Sequence, residues 1–310
     1  MRHLPNSLEN RLREVRKGGL IEVYERVDLK AWTGLGVGGH GDLLIRCSTA
    51  SAVQQALDLL ASHGTMWFTI GAGSRIVAPD RGLRVPLLNL TGELGRWKVE
   101  KNGITAGGGA KLAQVCTAAA RAGLSGLEGL AGSPGSVGGV LASVARRRPD
   151  RLSQMVEWIE HVRAGGEIIR IETMRDLDGV RRELDSDRLV ISGARFRTSG
   201  KKSGWATGGI DPLRRAVVRH RSRTADRVFH DPAEGTALEH LESAGCGGLR
   251  VGGASVAEWS SNAIVTTRVC TASDVVRLVW KARDRVRDHS GVELEPRLWL
   301  VDEQGKRMDE

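Results

Sequence analysis

The sequence is poor in aromatic residues other than tryptophan, in proline and in cysteine. Its 310 residues include three Phe, one Tyr, eight Pro and four Cys. So few prolines beside 40 glycines indicate tight turns and close backbone approaches in a folded chain, and they argue against disorder. With so few phenylalanines, the core must be built from Leu, Val, Ile, Ala and the eight Trp.

The spacing of the four cysteines argues against a disulfide framework and against a zinc site. Cys47, Cys116, Cys246 and Cys270 are far apart and form no Cys-x-x-Cys pair or Cys/His cluster. This spacing predicts reduced thiols in the cytosol, without a zinc site or a disulfide framework. We therefore predict a cytoplasmic protein that binds no metal ion.

Long apolar stretches are absent too. No run of apolar residues is long enough to span a bilayer, so we expect no membrane insertion. The charged first residues, MRHLPNSLENRLREVRK, lack the apolar core of a signal peptide.

Positive charge is in excess. Lys and Arg number 46 against 37 Asp and Glu, which gives a formal net charge of +9. Such an excess favours anionic ligands, among them nucleotides and nucleotide sugars. The basic residues are spread along the chain, with clusters at 146–148 and 214–227, and no nucleic-acid-binding motif is present. We expect an anionic small-molecule ligand and no nucleic acid; a solvated basic surface is the alternative.

Helical and strand patterns alternate along the sequence, which predicts an α/β or α+β fold. Helices are predicted at residues 51–63, 110–121, 238–244 and 272–290. Strands are predicted near residue 43 and at 66–70, 84–90, 97–99, 104–106, 156–162, 167–171, 189–196 and 292–301. Residues 1–20 are predicted to form a helical lead-in, 198–209 a linker, and the chain from 211 a basic helix.

The first glycine-rich segment, residues 68–77 (FTIGAGSRIV), is a candidate phosphate-binding loop. A strand runs into Gly71, Ala72, Gly73, Ser74 and Arg75, whose backbone N–H groups could form an anion-binding nest. The segment lacks the third glycine of the Gly-x-Gly-x-x-Gly fingerprint, which argues against a Rossmann nicotinamide site. An ordinary tight turn is the alternative explanation.

The second and third glycine-rich segments are candidate binding elements as well. Residues 132–139 (GSPGSVGG) present little side-chain bulk, so a flat ligand or a pyrophosphate could lie against their backbone. Close packing without a ligand is the alternative. The candidate residues here are Gly132, Ser133, Pro134, Gly135, Ser136, Gly138 and Gly139. The third segment, residues 245–262, ends at Asn262, which could contact a ligand or cap a turn.

Five segments, in their order and spacing, resemble the UDP-N-acetylenolpyruvoylglucosamine reductases, also called UDP-N-acetylmuramate dehydrogenases. They are residues 33–42 (TGLGVGGHGD), 68–77, 124–139, 239–262 and 291–301 (GVELEPRLWLV), and they span nearly the whole chain. The resemblance implies an α/β (α+β) fold with two FAD-binding subdomains and a smaller α+β substrate domain. The corresponding boundaries would be 1–85, 86–199 and 200–310.

The resemblance also implies a chemistry. In that family NADPH reduces the FAD, and the flavin N5 delivers hydride to the enolpyruvyl double bond of a UDP-sugar during peptidoglycan precursor synthesis. A serine protonates the neighbouring carbon, while an arginine and a glutamate stabilise the intermediate. The resemblance thus implies FAD held by the first two glycine segments, NADPH if the chain is active, and a nucleotide-sugar ligand.

The catalytic positions depart from the family. Its Gly-Ser-Val-Phe-Lys-Asn-Pro motif aligns with residues 226–232 (DRVFHDP), which puts Arg227 at the serine. Its Leu-Glu-Pro-Glu-Val ending aligns with residues 294–298, which puts Arg297 at the glutamate. The family's arginine aligns with Arg181, for which a solvated helical position is the alternative. Because a guanidinium keeps its proton at any ordinary pH, Arg227 is a poor proton donor at neutral pH.

Three hypotheses follow. The leading one is a catalytically impaired paralogue, a pseudoenzyme in which Arg181, Arg227 and Arg297 bind an anion. The second is an active FAD- and NADPH-dependent oxidoreductase with replacement residues, among them His230, whose ordinary pKa suits acid catalysis. The third is a non-catalytic binding protein of cell-wall synthesis. The residues assigned to substrate binding are His230, Asn262 and Glu295.

Overall fold

The computed structural model describes residues 12, 18–127, 130, 133–145, 155–163, 165–172, 189–198 and 223–308. Arg181, Gly132, nearly all of the predicted lead-in and linker, and the start of the predicted basic helix lie outside these residues.

The described residues form helices and small sheets in an α+β arrangement. The helices are α1 (Ala50–Ser62), α2 (Leu112–Arg121), α3 (Val137–Ala145), α4 (Ala237–Ser243) and α5 (Ala272–Ser290). The first eight strands are β1 (Ile21–Asp28), β2 (His40–Cys47), β3 (Phe68–Thr69), β4 (Ile76–Val77), β5 (Leu87–Leu90), β6 (Trp97–Glu100), β7 (Gly103–Gly107) and β8 (Val156–Arg163). The others are β9 (Ile168–Ile171), β10 (Leu189–Arg197), β11 (Thr224–Asp226), β12 (Arg250–Val251), β13 (Ala254–Ala257), β14 (Ser260–Thr266) and β15 (Trp299–Leu300).

The strands are arranged in four sheets. Their orders are β1-β2-β5-β3, β6-β7-β10-β8-β9, β11-β14-β13-β12 and β15-β4. β5 pairs in parallel with both β2 and β3, and β15 pairs in parallel with β4. The five-stranded sheet is antiparallel throughout.

The chain divides into two compact units. Unit 1 comprises Met1–Glu25, Leu43–Ala72 and Val85–Ile210, and unit 2 comprises Arg26–Asp42, Gly73–Arg84 and Asp211–Glu310. The first glycine segment therefore passes from unit 1 to unit 2 between Ala72 and Gly73. The division into domains at 1–85, 86–199 and 200–310 stays a prediction.

Unit 1 has two apolar cores. In one, α1 buries Val53, Leu57 and Leu60, which are part of the apolar spacing that predicted this helix. Thr49 begins the helix by accepting a hydrogen bond from the Ala52 N–H at 3.1 Å. In the other core, α2 and α3 pack with inward side chains of the five-stranded sheet, including the fully buried Phe196.

Unit 2 is built around α5. A capping box of Thr271 and Asp274 begins this helix, and Gly291 ends it with a φ of 71°. Its inward face buries Val275, Leu278 and other apolar residues against the β11–β14 sheet and α4. The structure therefore has this helix at the predicted bounds, 272–290.

Some segments of the structure differ from the predictions. β1 was not predicted, and α3 begins at Val137, inside the segment predicted as a glycine loop. The strand predicted over 292–301 is restricted to Trp299–Leu300, because only these two residues pair with β4; Pro296, before them, makes an isolated bridge to Phe229. A strand predicted from residue 84 begins only at Leu87.

All four cysteines are described, and each is buried without a disulfide. Burial raises the pKa of Cys47 to about 12. Burial, with a smaller contribution from Asp274, raises the pKa of Cys270 to about 11. Both thiols therefore stay protonated at neutral pH and are poor nucleophiles. None of the helices in the described ranges has the length and apolar character that crossing a membrane requires.

Candidate functional site

Two of the predicted glycine segments meet inside unit 1. Gly71 follows β3 and approaches Ser136 so closely that a Cβ atom at Gly71 would lie 2.2 Å from Ser136 Oγ. Ser136 accepts a hydrogen bond from the Gly139 N–H at 3.2 Å and so caps the first turn of α3. Any side chain at position 71 would have to displace this cap.

A cavity of about 90 Å³ lies where these segments meet. Glycine backbone and apolar side chains line most of it. The lining residues are Thr69, Ile70, Gly71, Leu90, Gly108, Gly109, Ser136, Gly138, Gly139, Ala142 and Ile191. The cavity is therefore a site at which a ligand would lie directly against the main chain.

Gly108 and Gly109, for which no role was predicted, also line this cavity. A Cβ atom at Gly108 would lie 1.9 Å from the Ile191 carbonyl oxygen, and one at Gly109 would lie 2.4 Å from that of Leu90. The Gly138 N–H donates to the Gly108 carbonyl at 2.8 Å, which joins the two glycine segments. Three consecutive glycines before a helix were the signal in the sequence.

The amides at the start of α3 are used inside the protein. The Val137 N–H donates to the Ala110 carbonyl at 2.8 Å, and the Gly138 and Gly139 N–H groups have the acceptors described above. Among the residues that the structure describes, the N–H groups of Gly71 and Ala72 have no acceptor. In unit 1 the first glycine segment, rather than the helix, therefore presents amides that could bind a phosphate.

Asn89, for which no role was predicted from the sequence, orients these two amides. Its buried side-chain amide donates to the Ile70 carbonyl at 2.8 Å and to the Gly71 carbonyl at 3.5 Å. Each carbonyl shares a planar trans peptide with the next residue's N–H, which points the opposite way. By holding the two carbonyls, Asn89 directs the N–H groups of Gly71 and Ala72 away from β5. A lone Asn in an apolar strand was the only signal.

The rest of the first glycine segment lies in unit 2. Gly73 has a φ of 61°, and a Cβ atom there would lie 1.8 Å from the Trp32 carbonyl oxygen. The Gly73 carbonyl accepts a hydrogen bond from the Gly34 N–H at 2.9 Å. The Arg75 carbonyl accepts one from the Trp299 N–H at 2.7 Å. The backbone of Gly34 and the backbone of Trp299 therefore hold the part of the segment from Gly73 through Ser74 to Arg75.

These residues fit part of an FAD. The close glycine contacts leave main chain exposed to a flat or phosphorylated group, and two amides are available as donors. The cavity is smaller than the ~300 Å³ at the lower end of pockets for drug-sized ligands, so it suits one portion of the dinucleotide and not the whole. Ser133, Pro134 and Gly135 precede this site, but none of the three lines the cavity.

In unit 2 the structure brings Arg227 and Arg297 close in the backbone. An isolated antiparallel bridge pairs Phe229 with Pro296. Beside it, the Arg297 N–H donates to the Val228 carbonyl at 2.7 Å, and the His230 N–H donates to the Glu295 carbonyl at 3.0 Å. The two segments that align with the family's serine and glutamate motifs therefore run side by side.

Asn262 holds one of these segments in place. Its buried side chain accepts a hydrogen bond from the Phe229 N–H at 2.8 Å and donates one to the Phe229 carbonyl at 3.1 Å. Its own carbonyl accepts from the Val228 N–H at 3.0 Å. The amide thus clamps the backbone beside Arg227, and a contact between Asn262 and substrate stays a prediction.

The side chains around the bridge differ in their surroundings. Arg227 is exposed and has a φ of 53°, a left-handed conformation that costs a non-glycine residue about 1 kcal/mol or more and is often found at functional sites. Arg297 is half-buried. Glu295 is exposed and lies 3.6 Å from Arg307. Directly opposed residues of an antiparallel pair share one face, which places His230 opposite Glu295.

The predicted pocket of three arginines can be followed only in part. The backbone segments of Arg227 and Arg297 run side by side, with Arg297 opposite Val228, whereas Arg181 lies outside the described residues. Within those residues there is no group of three His, Cys, Asp or Glu side chains arranged to hold a metal ion.

Comparison with known proteins gives a consistent result. A family model described as "FAD binding domain" matches residues 41–172, and one described as "UDP-N-acetylenolpyruvoylglucosamine reductase, C-terminal domain" matches residues 218–301. The reductase of Acidiphilium cryptum is 31% identical over 269 residues, which cover 86% of this chain and 85% of the relative. Reductase 1 of Bacillus thuringiensis subsp. konkukian is 26% identical over 306 residues, with 95% and 99% covered.

A solved structure has a similar fold. The crystal structure of UDP-N-acetylenolpyruvylglucosamine reductase from Thermus caldophilus aligns with a TM-score of 0.65 at 24% identity. The alignment covers 90% of this chain and 99% of that one. At this identity the likeness concerns the fold alone, and it agrees with the α+β architecture described above.

Proposed function

The chain belongs to the UDP-N-acetylenolpyruvoylglucosamine reductase family, and from this premise we propose that it binds FAD but is impaired in the family reaction. The observation that carries the proposal is the backbone pairing of the Arg227 and Arg297 segments across the Phe229–Pro296 bridge. These are the positions that align with the family's proton-donating serine and its glutamate.

Binding of FAD is supported by the glycine-lined cavity of unit 1 and by the matching FAD-binding model. When bound, FAD would supply hydride chemistry at its flavin. In this chain the amides of Gly71 and Ala72 would contact a phosphate, with Asn89 orienting them. The small residues of the segment 133–139 would leave room for the FAD beside the main chain.

Impairment is supported by the chemistry of arginine. A guanidinium stays protonated at any ordinary pH, so Arg227 cannot deliver a proton as a serine relay would. Loss of a positioned general acid typically lowers a rate by about 10²–10⁴-fold. Arg297 also places a positive charge where the family has a carboxylate, which reverses the local electrostatic field.

The same charges favour an anionic ligand. Two arginines on neighbouring segments suit a phosphate or carboxylate group, and the relatives are named as reductases of a UDP-sugar. We therefore propose a nucleotide sugar or a related anion as ligand, and NADPH as reductant if any turnover remains. A role in peptidoglycan precursor synthesis is part of the same proposal.

The first test is the visible spectrum of the purified full chain, before and after addition of FAD. We expect a protein-bound oxidised flavin. We then expect NADPH consumption with the enolpyruvyl UDP-sugar to be at least about 100-fold slower than in an intact family member assayed beside it. Turnover at an ordinary rate would overturn the proposal of impairment, and failure to take up FAD would overturn the proposal of FAD binding.

Reversion sharpens this test. The double variant Arg227→Ser with Arg297→Glu restores both side-chain types and should raise NADPH-dependent turnover by about 100-fold or more. The matched control is Arg268→Ser, since Arg268 is exposed and has no hydrogen bond within the described chain. Equal rates for the parent, the reverted variant and the control would contradict the idea that these two substitutions limit the reaction.

A second candidate function is an active oxidoreductase that uses replacement residues. It is favoured by the position of His230 opposite Glu295 at the same bridge, since a histidine beside a carboxylate is a common general acid. In that case the parent turns over and His230→Ala lowers kcat strongly. If the parent is inactive and binds neither FAD nor a nucleotide sugar, a non-catalytic binding role in cell-wall synthesis becomes the leading account.

A further inference from the structure

A turn at residues 33–37 of unit 2 is held by hydrogen bonds that reach far along the chain. The Gly36 N–H donates to the Thr33 carbonyl at 3.1 Å, which closes the turn. The Thr33 hydroxyl donates to the Val37 carbonyl at 2.8 Å and accepts from the Val37 N–H at 3.1 Å. These hydrogen bonds fix the shape of the turn. Its position depends on the groups that donate hydrogen bonds to the carbonyls of Gly34, Leu35 and Gly36.

Arg223 and Thr266 bind three consecutive carbonyls of this turn. The Arg223 N–H donates to Gly34 at 3.1 Å, the Thr266 hydroxyl to Leu35 at 2.6 Å, and the Arg223 guanidinium to Gly36 at 3.2 Å. The guanidinium also donates to the Thr267 carbonyl at 3.0 Å. One arginine therefore holds the turn through its main chain and its side chain together.

The backbone of Arg223 is in the left-handed region, with a φ of 75°. For an arginine this conformation costs about 1–2 kcal/mol, so the surrounding hydrogen bonds must maintain it. The fit is tight, since a Cβ atom at Gly36 would lie 3.0 Å from the Arg223 guanidinium. Strain kept in place by many contacts points to a positional role.

The opposite side of the turn contacts the first glycine segment. The Gly34 N–H donates to the Gly73 carbonyl at 2.9 Å, and a Cβ atom at Gly34 would lie 3.0 Å from the Ser74 Cα. The Ile76 N–H donates to the same Gly73 carbonyl at 3.3 Å. The backbone of Gly73 and Ser74 therefore lies where the turn places it.

We propose that Arg223 is a positioning residue that sets the backbone of Gly73 and Ser74 through the 33–37 turn, and that FAD affinity depends on it. The dependence on FAD rests on the function proposed above. Arg223 does not need to touch the cofactor, because the turn transmits its position by two backbone contacts.

Two variants of Arg223 separate its features. Arg223→Gly adopts the left-handed backbone without strain and can keep the main-chain hydrogen bonds, but it lacks the guanidinium. Arg223→Lys keeps a cation that can reach one carbonyl. We expect about tenfold weaker FAD binding for Arg223→Gly and a smaller loss for Arg223→Lys, measured by quenching of FAD fluorescence. Arg268→Gly is the control and should bind like the parent.

Hydrogen exchange without FAD gives an independent readout. The amides of Gly34 and Ile76 report on the link because both donate to the Gly73 carbonyl. Both should exchange about tenfold faster in Arg223→Gly than in the parent and in Arg268→Gly. If Arg223→Gly does not fold, Thr266→Val removes the hydroxyl that donates to Leu35 and should have the same effects.

The outcomes distinguish this inference from the proposed function. Unchanged exchange and unchanged FAD affinity in the folded variants would overturn the positioning role. A parent that takes up no FAD would overturn the proposed cofactor, and the exchange experiment would then decide the positioning of Gly73 by itself. Faster exchange with weaker FAD binding, partly restored by lysine, supports both.

Discussion

Glycine is required at some positions of this chain by conformation alone and at others by crowding. Gly64 and Gly73 have almost the same φ, 59° and 61°. Around Gly64 nothing lies within 4 Å of an added Cβ atom, whereas at Gly73 the Trp32 carbonyl oxygen would be 1.8 Å away. The two residues therefore form a matched pair in which only the close backbone approach differs.

Alanine substitution of this pair should separate the two effects. Gly64→Ala should lower the free energy of unfolding by about 1 kcal/mol, the cost of a left-handed alanine. Gly73→Ala should lower it by more than about 3 kcal/mol and abolish FAD binding, because the backbone of Trp32 must move. Chemical denaturation and FAD titration check this. Equal losses in the two variants would show that the close approach has no energetic importance.

At the scale of elements, β8 buries a titratable residue, His161. His161 is 1% exposed, beside Val162, which is fully buried. The pairing with β10 shifts register between Ile191 and Gly193, next to the pair that Ile191 forms with His161. Burial, with a smaller effect of Arg163, lowers the pKa of His161 to about 4. The imidazole is therefore neutral in the folded protein at neutral pH.

This burial predicts a dependence of stability on pH. The unfolded chain protonates His161 below its ordinary pKa of about 6.5, and the folded chain does so only near 4. Stability should therefore be full above about 6.5 and fall as the pH is lowered to about 4, by at most about 3 kcal/mol. His161→Leu should show a flatter profile in urea denaturation. His289→Gln, at an exposed residue of α5, is the control and should keep the parent's slope.

At the scale of the whole molecule, FAD binding should raise the free energy of unfolding. The increase should be larger the more groups of the FAD molecule the protein binds. FAD at about 100 times its Kd should add about 2.7 kcal/mol, seen as a higher melting temperature by tryptophan fluorescence. Riboflavin lacks the phosphates that the amides of Gly71 and Ala72 are proposed to bind. At equal concentration it should stabilise the chain much less. Equal shifts for the two ligands would argue against phosphate binding by the glycine segment.

Some of the molecule was predictable because its signals are local. The spacing of apolar residues predicted α5 at the bounds that the structure has, since its capping box and Gly291 are adjacent in sequence. The family resemblance predicted the fold class, and the comparisons confirm it. The register around Arg227, which rests on the match of Val228, Phe229 and Pro232 to the family motif, stays a prediction.

Other parts were not predictable because their partners are distant in sequence. β1 pairs with β2, and the strand predicted over 292–301 is short because only Trp299–Leu300 pair with β4. Asn89 lies beside the first glycine segment because β5 pairs with β3. The sequence of β5 alone does not indicate that Asn89 bonds to the Ile70 carbonyl.

The sequence by itself determined the glycines, the arginines at positions 227 and 297, and the family to which the chain belongs. These features are properties of single residues and their order. Only the tertiary structure decided that Gly71 meets Ser136, that Arg297 lies beside Val228, and that Arg223 holds the turn behind Gly73. The physical reason is that each of these contacts joins groups that lie tens to hundreds of residues apart in the sequence. Packing and hydrogen bonding of the whole chain bring such groups together, and no local pattern encodes them.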